Sequence, residues 1–103
     1  MVIYNKAIRD KIPEIIKESG KNCNVKKLDN SEFLIRLEKK LAEELAEYQE
    51  SKNVEELADI LEVIYRISKL KVVVSDELDE IRQKKAEQRG KFDDNLFLVD
   101  SDK

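Results

Sequence analysis

Two helical stripes separated by a very short break constrain this chain more than any other feature. Leu34, Leu37, Leu41, Leu45 and Tyr48 recur at three- and four-residue intervals, as do Leu57, Ile60, Leu61, Ile64 and Ile67. That period marks an α-helix with one apolar face. The first helix begins at Asp29, with Glu32 three residues on in capping-box order, and should end near Ser51. Asn53 begins the second, with Glu56 in the same relation, and its stripe runs to about Leu70. A connection of only Ser51–Asn53 leaves the helices no room to separate, so they should form an antiparallel hairpin.

The flanks read as helix too. Asp10 can cap a short helix through Lys17, with Pro13 in the tolerated first turn and Gly20 as the stop. Gly20–Leu28 is a polar connector, with Val25–Leu28 a candidate extended stretch. Val72–Val74 is a β-branched break, after which Ser75 caps a last helix ending at Arg89 before Gly90. Met1–Asn5 is short and partly apolar. Phe92–Val99 is irregular or extended, with Phe92, Leu96, Phe97 and Leu98 available for packing, and Asp100–Lys103 should fray. Charged residues at 42%, hydrophobic ones at 41%, two Gly and one Pro fit this helical reading. The expected fold is all-α: one domain over residues 1–103, an antiparallel helical bundle around the central hairpin. At this length only about two-thirds of the unfolded chain's surface is buried, so the core is modest.

Composition excludes several classes of function. A net charge of −3 provides no broad basic surface for polymeric nucleic acid. Cys23 stands alone, which removes intrachain disulfides and cysteine zinc sites, and the absence of His removes imidazole bases and His-dependent triads. No apolar signal region opens the chain and no run approaches the roughly 20 residues of a membrane span, so a cytoplasmic protein without membrane partners is expected.

The chemistry concentrates in the hairpin. The first helix carries Glu43, Glu44 and Glu47, the second Glu56 and Asp59. A spacing of three puts Glu44 and Glu47 on neighbouring turns of one side, and likewise Glu56 and Asp59. In an antiparallel hairpin, Glu47 then faces Glu56 and Glu44 faces Asp59. Four carboxylates at two matching levels repel one another, and no Lys or Arg lies within either motif. A hard divalent cation, Mg²⁺ with Mn²⁺ as a substitute, resolves the repulsion. Against this, 23 acidic residues will generate such spacings by chance, and Glu56 has an ordinary capping role. Two basic clusters flank this centre, Lys6, Arg9 and Lys11 before it and Lys84, Lys85, Arg89 and Lys91 after it. A cation site with basic arms suits a polyphosphate, although each basic residue can equally serve a solvated helix face.

These residues resemble a known family, the all-α nucleoside triphosphate pyrophosphohydrolases, also called MazG-like. Its EExxE and ExxD signature is matched by Glu43, Glu44, Glu47, Glu56 and Asp59. The stretches Tyr4–Pro13, Glu56–Glu62 and Lys84–Phe92 look like the opening, middle and end of a short-chain branch, with Ala7 and Gln88 as departures. The resemblance implies Mg²⁺-dependent hydrolysis of a nucleoside triphosphate to the monophosphate and pyrophosphate. It makes Glu44, Glu47, Glu56 and Asp59 the metal ligands, and Glu44, with Glu43 second, the carboxylate that activates water. Lys85 and Arg89 would hold phosphates, while Lys6, Arg9 and Lys11 close over the nucleotide. It also implies a homo-oligomer, dimer or tetramer, that completes the bundle. Three other readings stay open: a phosphoribosyl-ATP pyrophosphohydrolase, a family member that binds nucleotide without cleaving it, and a non-catalytic helical dimerisation protein.

Overall fold

A computed structural model describes residues 2–102, so Met1 and Lys103, the outer ends of the two expected terminal stretches, lie outside the described residues. Among those residues the chain forms four helices and no strand: α1 (Ile12–Glu18), α2 (Asn30–Ser51), α3 (Val54–Leu70) and α4 (Ser75–Arg89). The fold is all-α.

The caps explain where each helix starts. Asp29 Oδ1 accepts from the Glu32 amide at 2.9 Å, and Asn53 Oδ1 accepts from the Glu55 amide at 3.0 Å. Each satisfies one orphan donor of the first turn. At α3 the capping-box partner is replaced, because the Asn53 amide donates to Ser51 Oγ at 3.1 Å. Two expected caps move. Residue Lys11, not Asp10, occupies the N-cap of α1, and Pro13 then falls at the second helical position. Val74, not Ser75, is the N-cap of α4. Neither replacement offers a side-chain oxygen; at α4, Asp76 and Glu77 in the first turn instead complement the positive helix end.

The ends of α1 and α3 use one device. After α1, the amides of Gly20 and Lys21 return to the carbonyls of Lys17 and Ile16 at 2.9 and 3.2 Å, with Gly20 at φ +83°. This is the Schellman arrangement, and glycine suits its left-handed residue. After α3 the amides of Val72 and Val73 return to Lys69 and Ser68 at 3.0 and 2.9 Å, but the left-handed residue is Val72, at φ +64°. A β-branched residue there is strained. Buried Ser68 helps hold the turn by donating its hydroxyl to the Val73 carbonyl.

Helices α2 and α3 pack along each other as a hairpin, whereas among the described helices α4 contacts α3 but not α2. The buried centre is Ala7, Leu37 and Val63, with Phe33, Leu41, Ile67 and Leu70 packed against it. Thus a residue of the N-terminal segment sits in the core between the two long helices. Leu45, Leu57 and Leu61, expected inside, remain 44–49% exposed, and Val63 takes the central place on α3. Phe92, Leu96, Phe97, Leu98 and Val99 are almost fully exposed and follow no regular structure, as does the connector around Val25. The molecule measures 58 × 32 × 25 Å, with a radius of gyration of 18.0 Å. A closed domain of about 100 residues has roughly 13 Å. The chain is therefore extended, with the α2–α3 hairpin as its main packed unit.

Candidate metal centre

The hairpin brings the acidic motifs together. Glu44 on α2 and Glu56 and Asp59 on α3 each place a carboxylate oxygen within 4.8 Å of the others. Three hard oxygen donors at this separation suit a divalent cation that completes its shell with water or ligand oxygens. The spacing of three on α3 stacks Glu56 above Asp59, and Glu44 reaches both across the interface. Glu47 is exposed and stands outside this group of three.

Glu44 is the unusual member. It is only 6% exposed, although it is charged and sits on a small hairpin. One oxygen, Oε1, receives Lys40 Nζ at 3.2 Å, while Oε2 is buried with no hydrogen-bond partner among the described residues. A buried acceptor left unsatisfied is costly, and nearly all such atoms in native proteins have a partner. Burial pushes the Glu44 carboxyl above its ordinary value; the Lys40 hydrogen bond pulls it back, and neighbouring Glu47 adds to the rise. An orphaned buried oxygen beside two further carboxylates sets this group apart from a solvated acidic face.

Positive charge reaches the centre from outside both motifs. Lys40, one turn before Glu44, also lies 3.9 Å from Glu43. From the N-terminal segment, Lys6 Nζ meets Glu43 Oε1 at 3.1 Å and Arg9 Nη2 meets Asp59 Oδ1 at 2.7 Å. Ala7, buried between them in sequence, anchors the segment that carries both. Two of the three N-terminal basic residues thus lie at the carboxylates. Lys11 caps α1 and is exposed. Lys85 and Arg89 are exposed on α4, and among the described residues no ion pair joins them to the acidic group.

Glu43 is half-exposed and tied to Lys6, which leaves Glu44 as the carboxylate directed into the cluster. The residue that the motifs did not disclose is Lys40. Its signal was present as the i, i+4 spacing to Glu44, which places two side chains on adjacent turns. Compared with known proteins, the chain matches no family profile, no curated protein and no solved structure.

Proposed function

We propose that this protein is a Mg²⁺-dependent nucleoside triphosphate pyrophosphohydrolase of the MazG-like class, with Glu44, Glu56 and Asp59 as the core of its metal site. The observation that carries the reading is the buried, unpartnered Oε2 of Glu44 within a three-carboxylate group. The donor set is all carboxylate oxygen, which favours Mg²⁺ or Mn²⁺ over softer ions. Glu47, on the next turn from Glu44, is the fourth ligand that the sequence resemblance assigns.

Such an ion, when bound, neutralises phosphate charge and acidifies a coordinated water. The chain's own groups do the rest. Glu44, the carboxylate directed into the cluster, accepts the proton of the attacking water. The water oxygen bonds to the α-phosphorus, the bond from that phosphorus to the bridging oxygen breaks, and pyrophosphate leaves with the bond's electron pair. Lys6 and Arg9, already beside the carboxylates, supply positive charge to the phosphates. Lys85 and Arg89 join them only where an assembled oligomer brings α4 to the site. Half-exposed Leu45, Leu57, Leu61 and Tyr65 offer the apolar surface for that assembly.

The test is pyrophosphate release from a panel of ordinary and modified nucleoside triphosphates and phosphoribosyl-ATP, with and without Mg²⁺. Metal-dependent release that disappears in folded Glu44→Gln and Glu47→Gln proteins is expected, and the best substrate identifies the branch. Failure of every substrate with Mg²⁺ and Mn²⁺ would leave the hairpin as a binding or dimerisation module.

A further inference from the structure

Asp59 is claimed twice. It provides one of the three oxygens grouped around Glu44, and the same side chain accepts Arg9 Nη2 at 2.7 Å. A guanidinium and a divalent cation on one carboxylate repel each other. The Arg9 side chain is 56% exposed and Asp59 42% exposed, so their pair is screened by water and readily broken. Arg9 is nonetheless held close by its neighbours. Ala7 is locked in the core beside Leu37 and Val63, and Lys6 is tied to Glu43 at 3.1 Å. An arginine on an anchored segment can release Asp59 without leaving the site.

We propose that Arg9 is an exchangeable counterion: it neutralises Asp59 in the metal-free protein, yields that carboxylate to an incoming divalent cation, and then binds the phosphates that accompany the metal. The first exchange stands on the geometry alone. The handover to phosphate rests on the polyphosphate reading above. The arrangement keeps a cluster of like charges folded before the metal arrives. It also makes the basic group available only once the cation has taken its place, which orders the binding of metal and anion.

The two halves have opposite signatures. Mn²⁺ binding to the protein, followed by titration calorimetry without any nucleotide, tests the first. Arg9→Gln should bind Mn²⁺ about 2- to 5-fold more tightly than the unmodified chain, the range expected for losing an exposed competing ion pair. Lys11→Gln removes the same charge from the same segment at a residue with no carboxylate partner among the described residues, and controls for general electrostatics. With metal saturating, inorganic pyrophosphate should then bind Arg9→Gln more weakly, so one substitution strengthens metal binding and weakens anion binding. A second readout follows the Arg9 side-chain Nε–H resonance, which should shift on adding Mg²⁺ alone. Mn²⁺ affinity in Arg9→Gln no higher than in Lys11→Gln, or an Arg9 signal indifferent to Mg²⁺, overturns the exchange. Tighter Mn²⁺ binding with unchanged pyrophosphate affinity overturns the handover only. Absence of Mn²⁺ binding in every protein, including the unmodified one, removes the metal site itself and with it both readings.

Discussion

Replacing Glu44 by Gln should make the metal-free protein more stable and the metal-loaded protein less so. Two unit charges 4.8 Å apart, the upper limit within the carboxylate group, repel by about 3.5 kcal/mol at an effective dielectric of about 20. Glu44 meets such neighbours in Glu56 and Asp59, although Arg9 cancels much of the Asp59 charge, and Glu47 adds to the repulsion. Against this stands Lys40 at 3.2 Å, worth about 5 kcal/mol on the same scale. Gln retains an acceptor for Lys40, sheds the repulsion and removes the desolvation of a buried charge. The repulsion and the Lys40 attraction nearly cancel, so the desolvation of a buried charge decides the sign and favours Gln, by on the order of 1 kcal/mol or roughly 4–8 °C in melting temperature for a domain of this size. The assay is thermal unfolding in chelator and in excess Mg²⁺. In chelator, Glu44→Gln should melt higher than the unmodified protein; in Mg²⁺, the unmodified protein should gain and the variant should not. The raised proton affinity of Glu44 gives an independent sign. A carboxyl whose folded pKa lies above its unfolded value contributes stability at low pH, and that contribution is lost as pH rises through the folded pKa. The metal-free unmodified protein should therefore lose stability relative to the variant on moving from acid toward neutral pH. A variant that melts lower in chelator would refute the reasoning, because it would mean that the Lys40 pair outweighs the repulsion and that Glu44 is structural.

Three further outcomes are expected. Val72→Gly should stabilise the fold by about 0.5–1 kcal/mol, since relief of a β-branched residue at φ +64° exceeds the chain-entropy cost of glycine; chemical denaturation checks it. Asp29, whose carboxyl is held below its ordinary value chiefly by the Glu32 amide and then by the Ser31 hydroxyl, stabilises α2 above its unfolded pKa. That contribution is lost as pH falls through the lowered folded pKa, so Asp29→Ala should flatten the acid limb of a helicity titration. If Leu57 and Leu61 meet a second copy, the double change to Lys should convert an oligomer to a monomer in analytical ultracentrifugation while leaving the helical signal intact.

Helices α2 and α3 were legible because three local signals agreed at each: a 3.6-residue apolar period, a side-chain cap at Asp29 or Asn53, and a break too short for anything but a hairpin. The carboxylate group was legible for the same reason, since a hairpin with a two-residue link fixes which turns face each other. The register was less so: Glu56 joins Glu44 and Asp59 while Glu47 remains exposed, because facing levels do not specify how far each side chain leans into the interface. The caps at Lys11 and Val74 were missed where backbone geometry set the helix start without a side-chain oxygen to announce it.

What periodicity could not reveal was the third surface. The N-terminal segment has no repeat to read, yet Ala7 enters the groove between α2 and α3 and shares the buried centre with Leu37 and Val63. Leu57 and Leu61, on the side away from this centre, are left half-exposed. The same insertion carries Lys6 and Arg9 onto the acidic side chains, so one small buried residue sets both the packing and the charge balance of the site. A larger side chain at Ala7 would have to lift the segment, and with it both ion pairs, which makes the size of that residue a property of the site as much as of the core.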